Sequence, residues 1–293
     1  KTKDGKRKIL PQGKPLLINL WATWCAPCIK ELADLSHHES LIRESGIDVI
    51  ALNVDQLSTD VAPEKISDIL KKIKEYYIPE NDQHIIKYLQ QFDHYQEAQR
   101  NRALSHVFKW DLAIDIGANI GLWSKDLSNF FDKLICFEPN PYCVKYLKKN
   151  INLKNSEINC CALGSVNENK NLFIHPTNSG ASSFINNTKI GYNNISGAIY
   201  GEFPSETEKV NVEIKNLDSF NIKNINFIKV DVQGYELDVL RGSVKTLERN
   251  DPILCIEEDN PQSSKTIPFL ENLNYKIIDI INKEHIFKKK NNY

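Results

Sequence analysis

The 293-residue chain contains no methionine and no apolar run of the roughly 18 residues that a membrane-spanning helix needs. We therefore expect no transmembrane segment, and we expect translation to begin upstream of Lys1. An excess of one charge is also absent, since 37 Lys and Arg residues face 38 Asp and Glu residues. Up to Lys72 the counts are 11 basic and 10 acidic, which leaves 26 and 28 for the remainder. Without a basic bias in either part, nucleic acid is not an expected partner.

Cysteine is scarce as well, with seven residues, an odd number that does not suit a disulfide framework. A chain of this length can bury a sizeable core without disulfides, so a stapled miniprotein is excluded. The composition, 41% hydrophobic and 26% charged, is typical of a soluble globular protein. The length favours one large domain or two ordinary ones.

The first 72 residues carry an alternating pattern. Apolar runs of strand length at 14–22 and 47–55 are separated and followed by helical spacing at 27–44 and 63–72. This pattern predicts a βαβα unit. From residue 73 the sequence becomes polar and rich in Gln and aromatic residues, so we place a domain boundary there, giving an N-terminal segment 1–72 and a second domain 73–293.

The second domain alternates compact apolar strands with helical stretches. Strands are predicted at 112–115, 133–138, 158–163, 225–231 and 253–257, and helices at 123–131 and 142–150. Such alternation predicts an α/β fold with a mostly parallel sheet covered on both faces. The ending indicates an antiparallel hairpin with a tight turn at Asn282–Lys283, and residues 167–215 are expected to form an inserted lobe or a substrate-side loop.

A glycine-containing turn follows the first strand of this domain, with Asp115, Gly117 and Gly121 at acidic-x-Gly-x-x-x-Gly spacing. Nicotinamide cofactors usually require G-x-G-x-x-G, and the Asp115 carboxylate would oppose a phosphate. A cationic cofactor without phosphate, such as S-adenosylmethionine, fits better. Glu138 ends the next strand 23 residues later, close to the spacing at which an acidic residue binds ribose hydroxyls. The alternative for the turn alone is an ordinary structural loop.

Four ordered motifs, DIGANIGLW, CFEPNP, CALG and IKVDVQGYELDVLRG, make residues 73–293 resemble the FkbM family of S-adenosylmethionine-dependent methyltransferases. The resemblance implies a class I methyltransferase, Rossmann-like sheet. It also implies methyl transfer to a hydroxyl, often on a sugar or a polyketide. The implied cofactor residues are Asp115, Gly117, Asn119 and Gly121 at the methionine end, Glu138 at the ribose, and Ala162 and Leu163 near the adenine.

Asp231 is our first candidate for the catalytic residue, since the family's motif after the fourth strand matches here and the strand end faces the reaction space. Many relatives have Glu where this chain has Gln233, which weakens any scheme that needs a third carboxylate. Other candidate bases, by strand-end or loop position, are His175, Glu257 and Glu258. The structural alternative is that Asp231 only caps the following helix.

The N-terminal segment carries Trp-Cys-Ala-Pro-Cys between a strand and a helix, which places Cys25 at a helix N-terminus with Cys28 as its resolving partner. This stretch resembles the thioredoxin fold of TlpA-like thiol-disulfide oxidoreductases. The resemblance ends near Lys72, before the expected proline loop, so only a partial thioredoxin-like unit is predicted. A zinc site would need a second ligand pair, which Cys160 and Cys161 do not supply, and we expect no metal.

The expected function is therefore S-adenosylmethionine-dependent O-methylation of a small-molecule or glycan acceptor in the cytoplasm, where this cofactor is a metabolite. The main alternative is a thiol-disulfide oxidoreductase that uses Cys25 and Cys28, with the second domain as a binding module. A non-catalytic nucleoside-binding fusion is the third. The sequence leaves the acceptor and the oligomeric state open.

Overall fold

The computed structural model of the chain describes residues 16–21, 35, 48–53, 76–79, 81–92, 95–185, 208–258 and 261–290. Contacts divide the chain into two compact units, Lys1–Glu75 and Tyr76–Tyr293. In the first unit, strands β1 (Leu16–Trp21) and β2 (Asp48–Asn53) pair in parallel. Parallel pairing requires a crossover connection, in agreement with the predicted βαβ order.

Two predicted features of the first unit cannot be compared with the structure. The cysteines Cys25 and Cys28 lie outside the described residues, and so do the helices predicted at 27–44 and 63–72, apart from Leu35, which is helical.

The second unit is built on a seven-stranded sheet in the order β11-β12-β10-β9-β3-β4-β5. Neighbouring strands are parallel except where β12 pairs antiparallel with β10 and β11. The helices of this unit are α1 (Gln83–Gln91), α2 (Glu97–Leu104), α3 (Ser124–Phe130), α4 (Pro141–Asn150), α5 (Glu236–Arg241), α6 (Val244–Asn250) and α7 (Thr266–Asn272). The strands are β3 (Leu112–Ile116), β4 (Lys133–Phe137), β5 (Ser156–Asn159), β6 (Ala162–Leu163), β7 (Glu168–Phe173), β8 (Lys209–Lys215), β9 (Phe227–Val230), β10 (Ile253–Glu257), β11 (Tyr275–Ile281) and β12 (Glu284–Lys289).

The central strands are continuous apolar runs because helices cover both faces of the sheet. Every residue of β3 and of β9 is buried, as expected for parallel strands. One face packs against α5, α6 and α7 through residues such as Leu240 and Leu270, and the other packs against α2, α3 and α4 through residues such as Leu127 and Leu147. The predicted α/β class, with its antiparallel C-terminal hairpin, is confirmed. No helix within the described ranges combines the length and the hydropathy needed to cross a membrane.

One predicted strand is divided in two. The run at 158–163 was expected to be continuous, but β5 ends at Asn159 and β6 belongs to a separate three-stranded sheet in the order β6-β8-β7. The reason is a change of pairing partner: β5 follows β4, whereas Ala162 and Leu163 pair with Ile214 and Lys215 of β8. The chain bends at Cys161, between the two strands, and Ala162 and Leu163 of β6 line the same cavity as Glu138.

Candidate active site

A cavity of about 490 Å³ opens where β3, β4, β9 and β10 end. Binding sites of open α/β sheets lie at this carboxyl edge. Six of the seven predicted cofactor residues line the cavity, namely Asp115, Gly117, Asn119, Glu138, Ala162 and Leu163, and so does the first candidate for the catalytic residue, Asp231. The fold brings these residues into one cavity although they are spread over more than 100 positions of the sequence. Their contacts with a ligand stay a prediction.

The turn after β3 is held by its neighbours on both sides. Gly117 has φ +81° and Asn119 has φ +50°, so both are in the left-handed region. A side chain at Gly117 would overlap the backbone carbonyl of Asp231, so glycine is required there. The amide of Asn119 donates to Oε2 of Glu138 at 2.7 Å. The turn therefore has little freedom between β4 and the loop after β9.

Gly121, the second glycine of the turn, does not line the cavity. A Cβ at this position, where φ is +90°, would lie 2.8 Å from Cδ1 of Leu147 and 3.0 Å from Cγ2 of Ile151. Leu147 belongs to α4, and Ile151 follows this helix directly. Gly121 thus allows close helix packing in this structure, which is the usual purpose of the last glycine in such turns.

Asp115 is a buried carboxylate with one oxygen unsatisfied. Its Oδ2 accepts a hydrogen bond from the Ser124 hydroxyl at 2.5 Å, whereas Oδ1 has no hydrogen-bond partner among the described residues. Burial raises the pKa of Asp115, opposed by the Lys229 ammonium and by the Ser124 hydroxyl. A buried acceptor without a donor is costly, so this oxygen marks a place where a ligand would supply one.

Glu138 accepts a backbone N–H at each oxygen, from Asn119 and from Asn140, both at 2.7 Å. Burial raises the pKa of Glu138 to about 7 in spite of these two donors. Both oxygens keep a second lone pair, and the side chain lines the cavity. The carboxylate can therefore accept further hydrogen bonds from a ligand.

Asp231 follows β9 and is paired with Lys229, a residue that the sequence analysis did not single out. The Lys229 ammonium lies 3.0 Å from Oδ2 of Asp231, and its side chain is only 4% exposed. Burial opposes the charge of Asp231, but the Lys229 ammonium and several hydrogen bonds outweigh it and lower the pKa of Asp231. Lys229 also stands opposite Asp115 in the register of β9 and β3. A lysine inside an otherwise apolar strand was the available sequence signal.

Gln233 joins two carboxylates that line the cavity, those of Asp231 and Glu257. Its amide nitrogen donates to Oδ1 of Asp231 at 2.7 Å and to Oε2 of Glu257 at 3.0 Å. A Glu at this position would bring a third negative charge against the other two. The departure from the family pattern at Gln233 thus has a specific consequence, since the amide satisfies both acids.

The remaining candidate bases differ in placement. His175 lines the cavity, and its Nδ1 accepts the N–H of Thr177 at 3.3 Å. Glu258 does not line the cavity and instead accepts the Ser264 hydroxyl at 2.6 Å. His84, which the sequence analysis missed, lines the cavity from α1, and burial lowers its pKa. The described residues contain no cluster of acids, His and Cys that could hold a metal ion.

A loop at 175–183 covers the turn that follows β3. The amide of Ser179 donates to Oδ2 of Asp82, the residue that also caps α1, at 2.9 Å. The Ser179 hydroxyl donates to Oδ1 of Asn119 at 2.9 Å, and the Ser183 hydroxyl donates to the backbone carbonyl of Gln233 at 2.9 Å. These contacts are distant in sequence, so no local pattern could have indicated them.

Comparison with known proteins gives two family matches. The model of the Methyltransferase FkbM domain matches residues 115–277, more than half of the chain. The Redoxin model matches residues 3–126. A solved structure of a methyltransferase FkbM from Methylobacillus flagellatus aligns with a TM-score of 0.40 at 13% identity, covering 88% of this chain and 76% of that one.

Curated relatives match the two parts of the chain separately. Methyltransferase 1 of Beauveria bassiana is 30% identical over 144 residues, which are 44% of this chain and 57% of that protein. The thiol-disulfide oxidoreductase ResA of Bacillus thuringiensis is 39% identical over 51 residues, which are 17% of this chain and 28% of that protein. The chain thus spans only part of the length of either relative.

The chemistry of the cavity fits the cofactor that the family match implies, S-adenosylmethionine. This molecule carries a cationic sulfonium and an ammonium group, and the cavity presents the carboxylates of Asp115, Glu138 and Asp231. The unsatisfied Oδ1 of Asp115 is one acceptor for such a donor. On the motifs, the sheet and the match over residues 115–277, the chain belongs to the FkbM family of methyltransferases.

Proposed function

We propose that the chain transfers a methyl group from S-adenosylmethionine to a hydroxyl of a carbohydrate or a related metabolite. The observation that carries the proposal is one cavity that is lined both by the turn after β3 and by Asp231, Gln233 and Glu257. A cofactor on the turn would present its methyl group towards these three side chains. The reaction is proposed to take place in the cytoplasm, on a small molecule or glycan rather than on nucleic acid.

The carbohydrate part of the proposal is supported by the lining of the cavity. Aromatic side chains contribute to its wall, namely Tyr88, Tyr95, Phe184 and Tyr235. The hydrogen-bonding groups of Gln233 and Glu257 lie in the same space. A sugar ring has an apolar C–H face and a polar rim, so a mixed wall of rings and hydrogen-bonding groups suits it.

Asp231 is proposed to hold the acceptor hydroxyl. When bound, S-adenosylmethionine supplies an electrophilic methyl group, and alignment of the nucleophile in such a displacement can contribute about 7–11 kcal/mol. Asp231 stays ionised beside the Lys229 ammonium and can accept the hydroxyl's hydrogen bond. The lowered pKa makes it better suited to orient the hydroxyl than to retain its proton.

The test is a methyl-transfer assay with labelled S-adenosylmethionine against sugar, phenol, carboxylate and amine acceptors. We expect label on a sugar hydroxyl, and we expect Asp231→Asn to lower turnover roughly 10²-fold or more with little change in cofactor affinity. Glu258→Gln is the matched control, since Glu258 lies outside the cavity lining. Label only on an amine or a carboxylate would contradict the proposed acceptor, and normal turnover by Asp231→Asn would eliminate the role of this residue.

A second candidate function is thiol-disulfide exchange by Cys25 and Cys28. It is supported by the Redoxin match at 3–126 and by the similarity of 51 residues to ResA. Because no proline loop is identified in the sequence, we expect a disulfide between the two cysteines but poor general reductase activity. Reduction of insulin at the rate of a complete thioredoxin would contradict this expectation and favour the second function.

A further inference from the structure

Two residues that line the cavity each carry a buried side-chain oxygen without a donor among the described residues. Besides Oδ1 of Asp115, Oδ1 of Asn178 has no partner among the described residues, and Asn178 is only 7% exposed. Both side chains line the same cavity. An unsatisfied buried acceptor is costly to a fold unless a ligand or water supplies the donor. Asn178 comes from the loop at 175–183, in which the sequence analysis considered His175 but not Asn178.

The loop places Asn178 at the end of the cavity that holds the turn after β3. The next residue, Ser179, is tied to Asn119 through its hydroxyl and to Asp82 through its amide, each at 2.9 Å. A Cβ on Gly180 would lie 3.3 Å from Nδ2 of Asn119 and 3.4 Å from Oδ1 of Asn178. The Asn178 carbonyl oxygen and the Asn119 amide nitrogen therefore both lie beside Gly180.

The donors of S-adenosylmethionine are an ammonium group, two ribose hydroxyls and an adenine amine. The ribose is expected at Glu138, so the ammonium group remains for the acceptors near Asp115. An ammonium group has three N–H donors and gains most where several acceptors converge. The Asp115 carboxylate oxygen and the Asn178 carbonyl belong to residues that line one cavity, and neither atom has a donor among the described residues, so both are acceptors available to this group.

We infer that Asn178 is a cofactor-binding residue whose side-chain carbonyl, together with the Asp115 carboxylate, receives the ammonium group of the methionine portion. The inference rests on the proposed function, since it requires S-adenosylmethionine in this cavity. It also assigns the loop at 175–183 to cofactor binding.

The test compares two probes by calorimetry, S-adenosylhomocysteine, which has the ammonium group, and 5′-methylthioadenosine, which keeps the thioether but lacks the aminobutyrate portion with its ammonium group. Asn178→Leu is expected to weaken S-adenosylhomocysteine about tenfold or more and to leave methylthioadenosine unchanged. Asn178→Asp keeps an acceptor oxygen and is expected to retain affinity within a few-fold. Asn211→Leu, at an exposed position of β8, is the matched control.

The outcomes separate the inference from the proposed function. A folded wild-type protein that binds neither probe would overturn the cofactor assignment and Asn178 with it. Wild-type binding that Asn178→Leu leaves unchanged, or equal losses for both probes, would overturn the role of Asn178 alone. If Asn178→Leu fails to fold, Asn178→Ala shortens the side chain without adding bulk and provides the same comparison.

Discussion

At the scale of single residues, the site is defined by three carboxylates and one ammonium group, all of them buried except the partly exposed Asp231. Asp115, Glu138 and Asp231 are carboxylates at strand ends, and Lys229 is the ammonium among them. Burial raises the pKa of Asp115 and Glu138, whereas the ion pair with Lys229 lowers the pKa of Asp231. Asp231 therefore keeps its charge at neutral pH, while the charge of Glu138 changes near neutrality.

The pKa of Glu138, about 7, predicts a pH-dependent affinity for adenosine-containing ligands. The ionised carboxylate is the better acceptor for ribose hydroxyls, so binding should strengthen as pH rises from 6 to 8. Calorimetry with S-adenosylhomocysteine at several pH values measures this change. The affinity should rise by up to about tenfold per pH unit below the pKa of Glu138. Glu138→Gln should bind more weakly and without this trend. The same trend in the variant, or a flat wild-type profile, would rule out Glu138 as its source.

The contribution of Glu138 to folding stability changes with pH in the opposite direction. Because the folded pKa of Glu138 lies above its ordinary value of 4.5, the folded state binds this proton more tightly than the unfolded chain does. Its favourable contribution to folding is complete below about pH 4.5 and is lost as the pH rises through about 7. Ligand affinity and this contribution to stability should therefore change in opposite directions over the neutral range.

At the scale of elements, the cavity depends on the attachment of the 175–183 loop to α1. Asp82 accepts the amide of Ile85 at 3.0 Å with Oδ1 and the amide of Ser179 at 2.9 Å with Oδ2. One side chain thus begins the helix and holds the loop that carries Asn178. The small sheet of β6, β7 and β8 supports the same loop, since Phe173 at the end of β7 pairs with Ser183.

Asp82→Ala removes both hydrogen bonds and should lower the free energy of unfolding by about 1–2 kcal/mol, the usual cost of losing a helix N-cap. Asp82→Asn keeps one acceptor oxygen and should lie between the wild type and the alanine variant. Hydrogen exchange should become faster at the amides of Ile85 and Ser179 in the alanine variant. If the Ser179 amide keeps its protection, Asp82 does not hold the loop.

The elements themselves were largely predictable because their signals are local. Apolar runs and helical spacing indicated the central strands and α4, and strand-end position indicated Asp115 and Glu138. The division of the 158–163 run was not predictable, since it depends on pairing with β8 some 50 residues away. Lys229 and Asn178 were missed for the same reason: their importance comes from partners brought near by the sheet and the loop.

At the scale of the whole molecule, the chain has two compact units, Lys1–Glu75 and Tyr76–Tyr293, and the cavity is lined by residues of the second. The two candidate chemistries should therefore be separable. Replacing Cys25 and Cys28 with Ser should leave the affinity for S-adenosylmethionine within about twofold of wild type. The reason is that the two cysteines belong to the first unit, whereas the residues that line the cavity belong to the second. A large loss of affinity in this variant would mean that the units are coupled.

The most direct test of the account is titration of the full chain with S-adenosylmethionine, in the wild type and in Asp115→Ala. We expect one cofactor per chain, and we expect the substitution to weaken binding about tenfold, or about 1.4 kcal/mol, because the carboxylate that faces the cation is lost. NAD should bind more weakly than S-adenosylmethionine. Equal affinity of a folded Asp115→Ala variant, or tighter binding of NAD by the wild type, would contradict the placement of the cofactor at the carboxyl end of β3.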